Sequence, residues 1–234
     1  MEWYNNKGEE ENSEVIRTYY DNGNLKSIET LVDGLRNGTY MFYYENGQLQ
    51  GKGTFKNGEP DGLMEMYYEN GQLQKRVTFK DGFRNHFESY YENGRLENKG
   101  NVNKYDEPEG LWEDYYYNGQ LRWKRRYKNG LLDGLYESYH ENGQLENRLT
   151  FKDGEEDGLS EVYSDNGQLE MKITYKNGEM DGLYEEYFKN GQLKTKGYYK
   201  NGKFDGIFED YNEDGELIVK GRYKNGQLIS DLQY

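Results

Sequence analysis

Glutamates that recur at a nearly constant spacing are the residues of this chain best suited to chemistry. Each is followed eleven positions later by Lys or Arg. The glutamates are Glu65, Glu88, Glu113, Glu137, Glu161, Glu185 and Glu209, and the bases are Arg76, Lys99, Lys124, Arg148, Lys172, Lys196 and Lys220. A row of carboxylates could supply general acids or bind calcium, but a matching row of bases neutralises it. We therefore favour a structural role for both rows.

The other residue types leave little room for a catalytic or metal site. The sequence contains no cysteine, which excludes disulfides and thiolate ligands. Its two histidines, His86 and His140, stand where other copies of the recurring segment have Gly or an aromatic residue, and we interpret both as repeat drift. No copy has the Asp-x-Asp-x-Asp-Gly spacing of a calcium loop, and no Ser-His-Asp or paired-carboxylate constellation occurs. The sequence predicts no enzyme and no cofactor.

The elements that position these residues come from a repeat. A phrase of the form Tyr-Tyr-x-Asn-Gly-x-Leu occurs at 43–49, 67–73, 90–96 and 115–121, and variants of it occur elsewhere. Its glycines lie 23 to 25 residues apart, and we call them the anchoring glycines: Gly23, Gly47, Gly71, Gly94, Gly119, Gly143, Gly167, Gly191 and Gly215. A fixed period of this size indicates stacked supersecondary units.

Each copy has the pattern of a β-hairpin. Asn or Asp precedes every anchoring glycine, and Asn-Gly between alternating segments is a strong hairpin signal. The strand that follows alternates with period two, as in Leu169, Met171, Ile173 and Tyr175. We predict a two-residue type I′ turn at each anchoring glycine, which pairs each recurrent glutamate with the base eleven residues later. A slip by one residue would send the two partners to opposite faces.

The sequence therefore predicts an all-β fold. We expect an elongated, single-layer antiparallel β-meander, curved and twisted, built from β-hairpin repeats of about 24 residues. Two irregularities interrupt the period, one at His86 and one at 102–110. We expect a local kink or bulge there.

The repeats also predict how the chain is divided. Residues 1–14 are predicted to form a polar N-terminal lead-in or cap, in which Trp3 and Tyr4 fold back over the first repeat. Residues 15–226 are predicted to form an array of about nine hairpin copies, and residues 227–234 a C-terminal cap. Terminal repeats need such caps because their outer side has no neighbour.

Composition restricts the possible partners. The chain has 234 residues, with 44 Asp and Glu against 30 Lys and Arg, so its formal net charge is −14. Nucleic acid and anionic lipid attract the opposite charge, and we expect neither as a partner. No apolar stretch approaches the roughly 20 residues of a membrane span, and the start of the sequence lacks the basic and apolar regions of a signal peptide. We expect a cytoplasmic protein, or a secreted or surface protein if a leader has been removed.

The motif resembles that of a known family. Repeats of the form Gly-x-[Trp/Tyr]-x-x-Tyr-Tyr-x-Asn-Gly-x-Leu, followed by Tyr-Lys-Asn-Gly, resemble the bacterial variant of the MORN repeat, and the array is similar to the YwqK family of antitoxins. The resemblance covers residues 15–226. It implies an extended antiparallel meander that binds proteins, and it implies no catalytic residues.

Two functional hypotheses follow. The first is an antitoxin or immunity-type protein that neutralises a basic, toxin-like protein, since the resemblance and the acidic charge both fit that role. The second is a secreted or cell-surface interaction protein without a toxin partner. Aromatic residues are enriched at interface hot spots, so we expect the partner on an aromatic face of the third to fifth copies, with acids nearby. The candidate partner-binding residues are Trp112, Tyr116, Trp123, Tyr127, Glu107, Glu109 and Asp114.

Overall fold

The computed structural model describes residues 12–232 of the chain. Within that range there is no helix, and every strand pairs in the antiparallel sense, which confirms the predicted all-β meander of hairpin repeats. The chain forms two compact units, unit 1 ending at Glu109 and unit 2 beginning at Gly110. The predicted cap residues Trp3 and Tyr4 lie outside the described residues.

The strands of unit 1 pair with their neighbours in sequence. They are β1 (Ser13–Tyr19), β2 (Leu25–Val32), β3 (Leu35–Arg36), β4 (Gly38–Tyr43), β5 (Leu49–Lys56), β6 (Glu59–Tyr67), β7 (Leu73–Lys80), β8 (Phe83–Tyr90) and β9 (Leu96–Val102). Both β3 and β4 pair with β2, and a single residue, Asn37, separates them. They correspond to one uninterrupted strand in other repeats, such as β6.

Unit 2 repeats the same arrangement. Its strands are β10 (Pro108–Tyr115), which begins two residues before the boundary, β11 (Leu121–Lys128), β12 (Leu131–Tyr139), β13 (Leu145–Lys152), β14 (Glu155–Glu156), β15 (Gly158–Tyr163), β16 (Leu169–Lys176), β17 (Glu179–Tyr187), β18 (Leu193–Lys200), β19 (Lys203–Phe204), β20 (Gly206–Tyr211), β21 (Leu217–Lys224) and β22 (Gln227–Asp231). Asp157 and Asp205 interrupt a strand as Asn37 does in unit 1.

The turn at the anchoring glycines is not the predicted two-residue type I′ turn. At Gly47 the backbone N–H of Tyr44 donates to the carbonyl of Gln48 (N···O 2.8 Å), so three residues form the loop. The N–H of Gly47 donates back to the carbonyl of Tyr44 (2.9 Å). Gly47 has a φ of 88°, whereas Asn46 does not take a positive φ. This is a type I turn closed by a glycine in the left-handed region, a common three-residue hairpin loop.

The asparagine before the anchoring glycine stabilises the turn through hydrogen bonds of its side chain. Oδ1 of Asn46 accepts the N–H of Gln48 (2.9 Å), which closes an Asx turn. In several copies the amide of this asparagine also donates to a backbone carbonyl in the next anchoring turn, as from Asn70 to Glu92 (3.1 Å) and from Asn190 to Glu213 (2.8 Å). Successive turns are therefore linked by side-chain hydrogen bonds.

Type I′ geometry occurs instead at the second Asn-Gly or Asp-Gly of each repeat. Asn57 has a φ of 51° and Gly58 a φ of 87°, and the residues on either side, Lys56 and Glu59, form a pair. Both central residues of a type I′ turn need positive φ, which asparagine, aspartate and glycine tolerate best. The residues that take this conformation before a glycine are Asp33, Asn57, Asp81, Asn129, Asp153, Asn177, Asn201 and Asn225.

A β-bulge beside each three-residue loop restores the predicted register. In the hairpin of β4 and β5, Tyr43 pairs with Leu49 and Phe42 pairs with Gly51, so Gln50 is an extra residue. It offsets the extra residue of the loop. All seven predicted pairs of glutamate and base are found directly opposite each other. The register prediction is confirmed although the predicted turn type is wrong.

The two irregularities of the sequence are a shorter bulge and a longer turn. Where β5 pairs with β6, a bulge gives β6 two more residues than the facing stretch of β5. At the equivalent place between β7 and β8, the bulge in β8 has only one extra residue, Asn85. The residue that is missing near His86 is therefore one of the two bulge residues found in the other repeat. At the second irregularity, the N–H of Asn103 donates to the carbonyl of Glu107 (2.9 Å), and Asp106 takes a φ of 66°. A three-residue turn thus replaces the usual two-residue turn.

The two faces of the hairpins differ in chemistry. One face, which we call the ladder face, carries the recurrent glutamates and bases. The opposite face, the aromatic face, carries Tyr40, Phe42, Phe55, Phe79, Trp112, Trp123, Tyr127, Tyr136, Phe151, Tyr175, Tyr184, Tyr199, Phe208 and Tyr223, because residues two apart in a strand share a face. Its buried positions are small or β-branched, among them Val77, Ile173 and Ser138, the last only 2% exposed.

Candidate functional site

The recurrent glutamates and bases form a charge ladder that alternates in sign from strand to strand. In unit 1 it runs Lys52, Glu65, Arg76, Glu88, Lys99. In unit 2 it runs Glu113, Lys124, Glu137, Arg148, Glu161, Lys172, Glu185, Lys196, Glu209, Lys220. Glu65 is bound from both sides, by Lys52 at 3.0 Å and Arg76 at 3.1 Å, and Arg76 also reaches Glu88 at 3.2 Å. Glu65 is therefore shared between two bases, and Glu161 likewise lies within 4 Å of both Arg148 and Lys172.

Each ladder glutamate is also bound by a tyrosine of its own strand. The hydroxyl of Tyr67 donates to Oε2 of Glu65 (2.9 Å), and Tyr187 donates in the same way to Glu185 (2.9 Å). Burial by itself would raise the pKa of Glu65, which is 7% exposed, but hydrogen bonds from Lys52, Tyr67 and Arg76 outweigh it and hold the pKa below its usual range. The Glu65 carboxylate therefore stays ionised and fully hydrogen-bonded, which suits a structural role better than proton transfer.

Other residues offer no alternative chemical centre in the described part of the chain. Within residues 12–232 no group of three or more His, Asp or Glu side chains is placed to hold a metal ion, and no helix is present that could span a membrane. His86 binds Asn101 through Nδ1 (2.8 Å) and lies 3.4 Å from Glu88 through Nε2, at the end of the ladder. It takes part in the hydrogen bonding between β8 and β9.

Four of the seven candidate partner-binding residues come together on the aromatic face of β10 and β11. Trp112 and Tyr127 meet edge to face, with ring centroids 6.3 Å apart. Asp114 lies opposite Trp123 and forms an ion pair with Arg125. All four candidates are half-buried. The geometry provides a ring-lined surface, but one whose single carboxylate is already neutralised by an arginine.

Arginines cover Trp123, and one of them is not evident from the sequence pattern. The guanidinium carbon of Arg122 lies 3.8 Å from the Trp123 ring centroid and 5.5 Å from that of Tyr116, and that of Arg125 lies 5.2 Å from Trp123. Strict alternation would place Arg122 on the face opposite its neighbour Trp123. Arg122 is the extra residue of the bulge, and so it can turn to the same side as Trp123.

The remaining three candidates have other surroundings. Tyr116 lies just beyond the end of β10, and its hydroxyl is bound to the carbonyl of Tyr139 (2.8 Å). Glu107 is exposed and accepts a hydrogen bond from the Asn103 amide (3.0 Å), while Glu109 is half-buried within β10. Both glutamates belong to unit 1, whereas the aromatic candidates belong to unit 2.

The second aromatic residue of the repeated phrase forms a series that we call the tyrosine rungs. The hydroxyl of Tyr44 donates to the carbonyl of Tyr67 (2.7 Å), 23 residues further on. Equivalent hydrogen bonds of 2.7–2.8 Å join Tyr20 to Tyr43, Tyr68 to Tyr90, and Tyr116 to Tyr139. Burial raises the pKa of Tyr44 and Tyr68, so both remain neutral donors. Each rung joins one repeat to the next.

The rungs change in unit 2. His140 replaces a tyrosine and still reaches the equivalent acceptor, the Tyr163 carbonyl, through Nε2 (3.1 Å). The next rung position is Ser164, whose Oγ binds Asn166 (2.6 Å) and the Gln168 carbonyl (3.2 Å) and so stays within its own turn. Most repeats have an aromatic residue at the rung position, so the serine at 164 is the sequence signal that could have identified this position.

A groove opens where the ring is absent. It has a volume of about 610 Å³, and His140, Ser164 and Phe188 line it across three successive repeats. The corresponding space beside the filled rung Tyr20 measures about 150 Å³. The loss of one ring at Ser164 accounts for the extension of the groove from His140 to Phe188.

Exposed carboxylates also mark the anchoring turns. In unit 1 the residue two positions before the anchoring glycine is Asp21, Glu45, Glu69 or Glu92, and all four are exposed. In unit 2 the same position holds Tyr117, Glu141, Asp165, Lys189 and Glu213. Within residues 12–232 no ion pair joins the four carboxylates of unit 1 to a base, in contrast to the glutamates of the ladder.

Comparison with known proteins identifies the repeat. A family model described as "MORN repeat variant" matches eight segments, 15–33, 36–57, 60–81, 108–129, 132–153, 156–177, 180–201 and 204–225. The unmatched interval 82–107 contains the irregularity at His86 and most of the one at 102–110. No curated protein matches the chain.

Some solved structures also align with most of this chain, at low sequence identity. One, described as "Crystal Structure of TcdB2-TccC3", has 11% sequence identity and a TM-score of 0.25, and the match covers 99% of this chain but 15% of that one. Another, "Crystal Structure of TcdB2-TccC3-Cdc42", has 12% identity and a TM-score of 0.25, and covers 97% of this chain and 14% of that one. This chain thus spans about one seventh of the length of the structures it matches.

Proposed function

The chain belongs to the MORN repeat variant family, a family of repeat scaffolds, and on that premise we propose that it binds and neutralises a basic, toxin-like protein as an antitoxin or immunity-type protein. The observation that carries the proposal is the unneutralised row of turn carboxylates in unit 1. The ladder glutamates, by contrast, are matched by bases within the fold. Part of the excess negative charge of the chain therefore lies at exposed turns, where a partner can reach it.

The spacing of the row suits a basic surface. Successive anchoring turns are two strands apart, which corresponds to roughly 10 Å at the usual strand separation. This is close to the Debye length of about 10 Å at 0.1 M salt, so neighbouring carboxylates add to a common negative potential. Such a potential speeds the encounter with a basic protein and makes binding sensitive to salt.

The aromatic face of β10 and β11 is the proposed anchor of the complex. Trp112 and Trp123 offer large rings on a rigid pair of strands, and rigid aromatic residues carry much of the energy of protein interfaces. Arg122 and Arg125 partly cover Trp123, so a partner residue must displace or stack beside a guanidinium. Asp114 adds little attraction for a basic partner because Arg125 neutralises it. Glu107 and Glu109 remain proposed contacts of a basic partner.

The experiment begins with recovery of the partner from native lysate and its titration by calorimetry at two salt concentrations. A variant with Glu45→Gln, Glu69→Gln and Glu92→Gln is expected to bind about 10-fold more weakly or worse, with a smaller salt dependence, because it loses three charges of the row. The matched control is Glu59→Gln, Glu155→Gln and Glu179→Gln, which removes the same charge from exposed positions after the second turns. Equal effects of the two variants, or a partner that is acidic, would overturn the proposal.

Trp123→Ala tests the anchor separately. Truncation of an interface tryptophan commonly removes about 2 kcal/mol or more, roughly 30-fold in affinity. Arg122→Gln is the control, since it keeps the Trp123 ring and removes only the stacked charge. Unchanged affinity of Trp123→Ala, with the circular dichroism spectrum retained, would remove this face from the interface and leave the acidic row to be judged on its own result.

A further inference from the structure

We propose that the groove at Ser164 is a binding site for a tyrosine side chain of a partner protein, which takes the place of the absent rung. The inference rests on the geometry of the rungs and not on the role proposed above. It depends on three features of unit 2: an unfilled ring position, a backbone acceptor inferred from the equivalent repeats, and the charge of the rim.

The unfilled position is defined by its equivalents. Tyr20, Tyr44, Tyr68 and Tyr116 each place a phenol ring between two successive anchoring turns, with the hydroxyl on a carbonyl of the next repeat. Four copies of one contact, all 2.7–2.8 Å long, show that the repeat backbone accommodates a phenol in a single geometry. At Ser164 the same backbone is present without the ring, and the groove of about 610 Å³ occupies that space.

The acceptor that we infer from the repeat is the carbonyl of Tyr187, because Tyr187 lies 23 residues after Ser164, as Tyr67 lies 23 residues after Tyr44. Ser164 does not provide the hydroxyl, because its Oγ is held by Asn166 and Gln168 in its own turn. A phenol therefore suits the groove better than a phenyl ring, because its hydroxyl can donate to this carbonyl as the tyrosine hydroxyls of the rungs do in other repeats.

The walls and rim indicate what surrounds this tyrosine in the partner. His140 and Phe188 flank the empty position and provide aromatic contacts. Glu146, Asp165 and Glu170 line the groove, against a single base, Lys189. The excess of carboxylates favours a tyrosine that has basic neighbours. The groove is open along the turn edge, where Asp165 is exposed, so that a residue still attached to its own protein can enter.

The test uses the full chain and an acetylated, amidated Lys-Tyr-Lys tripeptide, followed by ¹H–¹⁵N chemical shifts. We expect saturable shifts that centre on His140, Ser164, Phe188 and Lys189. A Lys-Phe-Lys peptide is expected to bind about 3- to 10-fold more weakly, because it lacks the hydroxyl. A Lys-Ala-Lys peptide is expected not to saturate at the same concentrations. Equal affinity of the tyrosine and phenylalanine peptides would overturn the assignment of the acceptor, and absence of saturable shifts for all three would overturn the site.

Variants at position 164 distinguish the groove from a general acidic surface. Ser164→Tyr restores the rung and is expected to abolish binding of the tyrosine peptide, whereas Ser164→Ala leaves the groove open and is expected to bind as the unmodified protein does. Ser164→Phe fills the same space without a hydroxyl and provides a second blocking variant if the tyrosine variant does not fold. Retained binding in a folded blocking variant would show that the peptide lies elsewhere.

Discussion

The rungs of unit 1 and those of unit 2 show which part of the repeat is fixed and which part can vary. Tyr44 and Tyr68 fill their positions and cap a carbonyl in the next repeat. His140 does so with a different donor, and Ser164 does not do so at all. Across this change the hairpin register remains the same, with Glu161 opposite Lys172 as Glu65 is opposite Arg76. The hairpin register is therefore kept without a ring at Ser164, and we expect the rungs to be the part of the repeat that adapts to a partner.

Removal of a filled rung should have the largest effect on stability. Tyr68→Ser takes away a half-buried ring and its hydrogen bond to the Tyr90 carbonyl, and we expect unfolding to become easier by about 2–3 kcal/mol, less than the 3–5 kcal/mol of a fully buried aromatic residue. Urea denaturation checks the value. Ser164→Ala is the matched control and should change stability by less than about 0.5 kcal/mol. Similar losses for the two variants would mean that the rungs do not differ between the units.

The response to acid should be intermediate in size and alike in the two units. Hydrogen bonds from Lys and Tyr hold the pKa of Glu209 below its usual value; for Glu65 and Glu185 burial opposes this shift, but the hydrogen bonds outweigh it. A lowered folded-state pKa gives stability that is present above the unfolded value of 4.5 and lost as pH falls through the folded value. We therefore expect lower stability at pH 3 than at pH 6, measured by urea denaturation.

Hydrogen exchange at the two pH values locates that loss. Amides beside the ladder should lose protection in both units, since the ladder does not differ between them as the rungs do. The variant Glu185→Gln should reduce the acid sensitivity of its own hairpin and leave that of β6 and β7 unchanged. Acid sensitivity confined to unit 2 would contradict the view that the ladder acts in the same way in both units.

The coupling within one ladder pair should be the smallest effect. Lys196 Nζ lies 3.1 Å from Glu185 Oε1, and its side chain is 35% exposed, so solvent screens the pair. A double-mutant cycle with Glu185→Gln and Lys196→Gln should give a favourable coupling of about 0.2–1 kcal/mol at low salt. The same cycle on Glu65 and Arg76 should give a larger value, because Glu65 is more buried. Zero coupling for both pairs would mean that the ladder contributes register and not energy.

Much of the fold was predictable because the information is local and repeated. Opposite charges eleven residues apart, in seven copies, identified the hairpin register, and alternation in stretches such as Leu169 to Tyr175 identified the strands. The candidate surface was predictable in part: Trp112, Asp114, Trp123 and Tyr127 share a face, but Tyr116 is a rung, and Arg122 joins the surface through a bulge. Period-two alternation cannot anticipate a residue that a bulge moves to the other side.

The sequence alone determined the period, the strands and the pairing of charges, whereas the tertiary structure decided the turns and the groove. The dipeptide Asn-Gly occurs in both turns of a repeat, yet Asn57 takes a positive φ and Asn46 does not. At the anchoring turns the asparagine side chain binds its own backbone and, in copies such as Asn70, a carbonyl 22 residues away. Contacts between adjacent repeats thus select the three-residue turn. The groove at Ser164 likewise exists only because the neighbouring repeats keep the space that one missing ring leaves open.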